Sequence, residues 1–200
     1  RTDTMRVIAG TARSMPLGTV KGIDTRPTTD KSKETLFNIL QADVPDCRFL
    51  DLFAGSGAIA IEALSRGAAY AVLVEQSAKA VRCIRDNLAF TRTAERADVH
   101  RCDVLTALHR MEGQKPFDVI FMDPPYDQGL ERQVLSCLAD STLADEYTVI
   151  VVEASLQTDF SWLEETGYHA YKYRKYKTNQ HVFLQKKGQI NDSSDIPGEF

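Results

Sequence analysis

The chain has 200 residues, 43% hydrophobic and 26% charged, with a formal net charge of −4. That balance is ordinary for one soluble globular domain with a single core. No apolar run approaches the roughly 18 residues that a spanning helix needs, and the start, RTDTMRVIAG, lacks the apolar stretch of a signal peptide, so a cytoplasmic protein without a membrane partner is expected.

Net acidity speaks against a nucleic-acid partner, but the charges are not evenly spread. Residues 1–33 hold seven Lys/Arg against three Asp/Glu, and residues 168–187 hold six Lys/Arg and no acid. Both ends of the fold are basic around an acidic centre, and a basic segment can hold phosphates locally. For charge clusters taken alone, solvated surface charge is the favoured reading.

In chain order, residues 5–23 suggest a short hairpin, RVIAG and MPLGTV around a Gly/Ser/Thr turn. Thr29 or Asp30 can cap a helix with Leu36, Phe37, Ile39 and Leu40 on its apolar face, ended by Pro45. Units of strand then helix follow. Strands are expected at 48–53, 70–75, 97–102, 117–122 and 147–154. Helices lie between them, one closed by Gly67 and one capped by Ser77. Two final strand-like runs near GYHAYKYRKY and HVFLQKK are joined too tightly for a helix, so they should pair antiparallel. The tail GQINDSSDIPGEF is polar and expected to be disordered. Cys47, Cys83, Cys102 and Cys137 show no CxxC spacing; they read as buried free thiols, with neither a disulfide framework nor a metal site.

Alternating strands and helices predict an α/β fold with a parallel sheet covered on both faces. Ligands in such sheets bind beyond the carboxyl ends of the strands. The first strand ends in DLFAGSGAIA, where Gly55, Gly57 and Ala60 form GxGxxA. Glycines there permit a tight turn and close backbone approach, but the pattern alone is weak. The second strand ends at Glu75, 18 residues past Gly57, where a carboxylate can accept ribose hydroxyls. The third ends beside Asp103. Either acid alone reads as a helix cap; together the three strand ends favour an adenosine-type cofactor.

Two cofactor classes fit. A dinucleotide would set its pyrophosphate on the helix N-terminus. S-adenosylmethionine has no phosphate, and the DxFxGxG arrangement of Asp51, Phe53, Gly55 and Gly57 suits its methionine part, with Asp51 poised toward the ammonium directly or through water.

The fourth strand ends in Asp123-Pro124-Pro125-Tyr126. Two prolines stiffen the backbone, so the Pro124 carbonyl can be aimed. Asp123 adds a second acceptor, and Tyr126 adds a flat face on which a base can stack for about 1–3 kcal/mol. Two acceptors and a plate suit an amino group on a planar base, turned so that its lone pair meets an electrophile. A strand-ending turn with an exposed tyrosine is the plainer reading of the four residues taken alone.

The segments RPTTDKSKETLFNIL (26–40), LDLFAGSGAIAIEALSRGA (50–68) and FMDPPYDQGL (121–130) resemble the RsmD family, bacterial methyltransferases acting on the 2-amino group of guanine-966 in 16S rRNA. The resemblance covers roughly residues 5–187. It implies a Rossmann-like class I methyltransferase with seven strands, the last inserted antiparallel. It also divides the chain into an RNA-facing extension (1–45), a methyltransferase domain (46–187) and a disordered tail (188–200). By position it implies that Asp51, Phe53, Ala54, Gly55 and Gly57 hold the methionine part of S-adenosylmethionine, Glu75 the ribose, and Asp103 with Val104 the adenine. Asp123, Pro124 and Tyr126, flanked by Pro125, would hold the flipped guanine. Arg26, Pro27 and Thr28 would lie over the site, and Arg6 and Arg13 would extend the RNA surface. The expected partner is 16S rRNA or the assembling small subunit, and a monomer without a metal is expected. An adenine-N6 or glutamine methyltransferase, a non-catalytic RNA-binding module and a nicotinamide oxidoreductase are the competing readings; the last leaves the DPPY stretch unexplained.

Overall fold

The structure is a computed structural model that describes residues 5–20 and 29–188. Arg26, Pro27 and Thr28, and the tail beyond Gly188, lie outside the described residues.

The strands are β1 (Arg48–Leu52), β2 (Tyr70–Val74), β3 (Ala97–His100), β4 (Val119–Met122), β5 (Val149–Ser155), β6 (Tyr168–Lys175) and β7 (Asn179–Lys186). They form one seven-stranded sheet in the order β3-β2-β1-β4-β5-β7-β6. The first five are parallel, and β7 runs antiparallel between β5 and β6. The helices are α1 (Asp30–Ile39), α2 (Ala58–Ser65), α3 (Ala78–Phe90), α4 (Val104–Met111) and α5 (Leu130–Ala139).

The central strands are apolar on both faces because each face is covered. Phe49, Leu73, Val119, Phe121, Val151 and Phe183 pack with α1, α2, α3 and the N-terminal arm. Leu50, Leu52, Val72, Ile120, Met122 and Val152 point the other way, onto α4 and α5. Met5, Val7, Ala12 and Leu17 of the arm are buried in the first of these clusters, so the residues before β1 share the core of the sheet.

The elements depart from expectation in four places. The N-terminal hairpin is a single bridge, Arg6 to Pro16, with three further cross-bonds and no ladder. Pro16 has no N–H to give, and Gly10 and Ser14 turn to positive φ, so regular pairing cannot extend. Helix α1 is capped by the Thr29 hydroxyl but ends at Ile39, before Pro45, which lies in the following turn. The strand bounds shift by one or two residues: β1, β2 and β3 end at Leu52, Val74 and His100, β4 and β5 begin at Val119 and Val149, and β5 runs on to Ser155. Of the four free cysteines only Cys47 is buried; Cys83 and Cys102 are half-buried and Cys137 is exposed.

Candidate active site

Strands β1 and β4 are neighbours in the sheet, yet β1 leads toward β2 on one side and β4 toward β5 on the other. That divergence opens a crevice at their carboxyl ends.

Beyond β1 the backbone turns left-handed three times in five residues, at Phe53 (φ 63°), Gly55 (φ 57°) and Gly57 (φ 79°). Glycine adopts this region freely, but for phenylalanine it is strained, by roughly 1–3 kcal/mol, and such strain gathers at functional sites. A Cβ on Gly55 would meet nothing within 4 Å, whereas one on Gly57 would lie 3.1 Å from Leu73. Gly55 therefore leaves open space over the loop, and Gly57 lets α2 close down on β2.

Glu75, the residue after β2, holds this loop. Its Oε2 accepts the Gly55 N–H at 2.9 Å and its Oε1 accepts the Ser77 N–H at 2.8 Å. Each oxygen keeps a second lone pair for a ligand hydroxyl. Asp51 is 1% exposed, beneath the loop. Its Oδ2 accepts the Ala60 N–H at 3.2 Å, in the first turn of α2. Burial pushes the Asp51 carboxyl up to about 8; the Ala60 amide opposes this and the Glu75 charge adds to it. An acid side chain that already takes the Ala60 N–H leaves one donor fewer at the α2 N-terminus for the phosphates of a dinucleotide. The same acid, ionised by an ammonium placed beside it, suits an amino-acid group. The donor set and the space over Gly55 thus fit S-adenosylmethionine.

Asp103 caps α4, accepting the Thr106 N–H at 2.9 Å and the Thr106 hydroxyl at 2.6 Å. Those bonds hold its carboxyl below the usual range. It is exposed beside the same crevice, and Val104 is buried next to it.

Asp123 follows the last ladder residue of β4 and is partly buried. Burial pushes its carboxyl well above the ordinary value, and the charges of Glu153 and Asp51 push the same way. Pro124 is buried, Pro125 exposed and Tyr126 half-buried. Asp127 and Gly129 then take positive φ and turn the chain into α5.

The N-terminal arm reaches both ends of the sheet. Near the glycine loop the Asn87 amide donates to the carbonyls of Gly18 (3.0 Å) and Ser56 (2.9 Å), joining arm and loop. Behind it Glu62, fully buried, accepts the N–H groups of Ile8 (2.8 Å) and Ala9 (3.0 Å). Arg66 Nε pairs with Glu62 at 2.7 Å, and the buried Lys33 ammonium lies 3.6 Å from it. Desolvation outweighs that partner and lowers Lys33. Arg6 is exposed and paired with Asp30 at 3.1 Å. The arm's tip instead packs on the far end of α2, where the Thr11 N–H donates to the Ser65 carbonyl. Eight helical residues, about 12 Å, separate that end from the glycine loop. The structure thus places Arg13 at the opposite end of α2 from the crevice.

At the other edge, Tyr171 and Tyr173 are 45% and 50% exposed on β6. A register shift between Ala170 and Lys172 interrupts the pairing of β6 with β7. The Arg174–Lys175 end of this strand lies level with the carboxyl end of β5, through Lys175 to Gln180 and Gln180 to Ala154.

Level with Asp123 on the next strand is Glu153, whose cross-strand partner on β7 is His181, 2.8 Å away. The sequence analysis singles out neither: Glu153 comes near the end of an apolar run, as Asp123 does, whereas His181 carries no such signal.

The chain matches the family described as "Conserved hypothetical protein 95" over residues 5–185. It is 38% identical over 154 residues to "Ribosomal RNA small subunit methyltransferase D" of Escherichia coli K12, covering 76% of each chain. It is 34% identical over 180 residues to the protein of the same name in Haemophilus influenzae, covering 86% of this chain and 93% of that one. Among solved structures, the yhhF protein of Escherichia coli superposes with a TM-score of 0.79 at 32% identity, covering 93% of this chain and 99% of that one. A ribosomal protein L11 methylase from Lactobacillus delbrueckii shares the fold, with a TM-score of 0.68 at 16% identity over 84% of this chain and 83% of that one.

Proposed function

The chain belongs to the family described as conserved hypothetical protein 95, the RsmD family, and on that footing we propose that it methylates small-subunit ribosomal RNA, at the 2-amino group of a guanine of the guanine-966 type. S-adenosylmethionine, when bound, supplies a methyl group on a positively charged sulfur. The observation that carries the reading is the meeting of two strand ends. The β4 end brings an acid, a proline carbonyl and an aromatic next to a glycine loop whose acids suit that donor.

In this reading Glu75, fixed by Gly55 and Ser77, receives the ribose hydroxyls. Asp51 faces the ammonium through its second oxygen, Phe53 and Ala54 line the methionine part, and Asp103 with Val104 borders the adenine. Asp123 and the Pro124 carbonyl accept the two N–H bonds of the guanine amino group, which frees its lone pair to turn toward the methyl. Tyr126 stacks on the ring, with Pro125 at its rim. Acceleration comes from positioning and from charge placed where charge develops. A base must leave its stack to enter such a pocket, which is easiest in a loop. Arg6, Arg26, Pro27, Thr28 and the Arg174–Lys175 end of β6 are the candidates for holding RNA beside the site; Arg13, on its distance, is the weakest of the set.

The test uses tritiated S-adenosylmethionine with small-subunit particles, naked 16S RNA and DNA. RNA acquires label, and Asp123→Ala lowers the transfer rate about 10²–10³-fold while cofactor affinity holds. Label in DNA alone, or an Asp123→Ala variant that loses cofactor affinity and keeps its turnover, refutes the assignment.

A further inference from the structure

Beside Asp123, on the side away from the glycine loop, lies a closed polar cluster that this reading leaves unused. The register of β4 with β5 pairs Met122 with Val152, so Asp123 stands level with Glu153 on the next strand. Glu153 is in turn the cross-strand partner of His181. Asp123, Glu153 and His181 therefore form one row on the face of the sheet that carries Phe121, Val151 and Phe183 one step below.

The cluster is fully engaged on the side away from Asp123. Glu153 Oε2 lies 2.8 Å from His181 Nε2, and its Oε1 accepts from the Asn179 amide at 2.8 Å. His181 Nδ1 lies 3.1 Å from the Tyr176 hydroxyl. The His181 side chain is 0% exposed and that of Glu153 7%. The imidazole is wedged edge-on between Phe121 (6.0 Å) and Tyr176 (4.9 Å). A core position that needs only volume would hold a leucine here, since a buried polar network is costly unless every member is satisfied. This one is satisfied, and it fixes a carboxylate beside the acid at the substrate end of the sheet.

We propose that Glu153, anchored by His181 and Asn179, is a positioning residue whose charge makes Asp123 the acceptor of the proton that amino-group methylation releases. The inference rests on the base-methylation reading above. As the amino nitrogen bonds to the methyl carbon, the carbon–sulfur bond breaks with its electron pair going to sulfur. The nitrogen is then left positive with one surplus proton, the N–H bond breaks, and the Asp123 carboxylate takes that proton and later yields it to water. A carboxylate beside another carboxylate holds a proton more strongly than one alone, which brings its basicity toward neutral pH. Asp51 from β1 and Glu153 from β5 act on Asp123 through their charge, both in the same direction; behind Glu153, His181 from β7 lies against its carboxylate and Tyr176 from the β6–β7 turn lies against His181.

The test compares wild type with Glu153→Gln, which keeps the size and a hydrogen-bonding oxygen but removes the charge. Asp123 is followed by carboxyl carbon NMR in the free protein, assigned through Asp123→Asn. In parallel, the pH dependence of single-turnover transfer to RNA is recorded. The Asp123 midpoint falls by about one pH unit or more in Glu153→Gln, and the acid limb of the rate profile moves the same way. A merely structural Glu153 would lower the rate without moving either. Should Glu153→Gln alone fail to fold, the double variant Glu153→Gln, His181→Gln keeps an amide pair in place and carries the same expectation. An unchanged Asp123 midpoint overturns the proposal while leaving RNA methylation intact. Wild-type protein that labels no RNA overturns the reading beneath it, and the proton role with it.

Discussion

Asp51→Asn should shift the stability of the cofactor-free protein increasingly in the variant's favour as pH rises, with a net gain by pH 7. The Asp51 carboxyl is 1% exposed, and burial pushes it to about 8, from an ordinary value of 3.8. Below the ordinary value, folded and unfolded chains both carry the proton and Asp51 costs nothing. Between 3.8 and about 8 the unfolded chain ionises and the folded one does not, so stability falls as pH rises. The slope is about 1.4 kcal/mol per unit, which accumulates to about 4 kcal/mol by pH 7. Asparagine carries no such penalty and can still accept the Ala60 N–H. Its extra amide hydrogens go unpaired, which subtracts about 1–3 kcal/mol at every pH. The discriminating quantity is therefore the change with pH: from pH 5 to pH 7 the Tm advantage of the variant should widen by roughly 5–10 °C for a chain of this size. Thermal unfolding followed by circular dichroism at several pH values measures it. A Tm difference that stays constant across this range refutes the burial argument. The same variant should bind S-adenosylmethionine more weakly, because an ammonium beside Asp51 stabilises the ionised form that asparagine lacks.

Three further outcomes follow from other parts of the structure. Lys33→Met removes the ammonium 3.6 Å from Glu62 and its bond to the Arg6 carbonyl, leaving Glu62 to Arg66 and two amides. It should cost about 2–4 kcal/mol in urea unfolding, and Lys33→Arg should not restore a pocket that has no exposed surface. Gly10→Ala would place a Cβ 1.8 Å from the Ser65 carbonyl oxygen at a φ of 84°, so the arm must lift off α2; limited proteolysis should then cut between residues 6 and 14 while the sheet stays resistant. Replacing Arg174 and Lys175 with alanine should weaken RNA binding and leave cofactor affinity unchanged. In a fluorescence anisotropy series the slope of log affinity against log salt should fall by about 0.7 for each phosphate that is no longer neutralised.

How much was legible in the sequence depended on the range over which each signal acts. Strands β1, β2, β4 and β5 declared themselves as apolar runs because both faces of a parallel sheet are buried, and the caps at Thr29, Ser77 and Asp103 are local hydrogen bonds between near neighbours. The glycine loop and the Asp123 strand end were legible because each needs unusual residue types in a fixed order. Helix α1 stops at Ile39 without waiting for Pro45, because the Leu40 carbonyl is taken by the turn amides of Asp43 and Val44. The positive φ of Phe53 leaves no trace in composition. Glu153 and His181 are 28 residues apart and meet only because β7 returns antiparallel beside β5. Nothing local to His181 announces a partner. Arg13 reads as part of a basic arm, yet the turn at Gly10 carries it to the far end of α2 from the glycine loop, a placement visible only once Ser65 is known to receive the arm.

The central claim is that the site methylates the 2-amino group of a guanine. After incubation with wild-type protein and S-adenosylmethionine, small-subunit RNA from cells lacking the enzyme would be digested to nucleosides and separated by mass spectrometry. The expected result is one new species, N2-methylguanosine, at close to one per RNA and absent with Asp123→Ala. N6-methyladenosine as the product, or no methylated nucleoside at all, would contradict the claim.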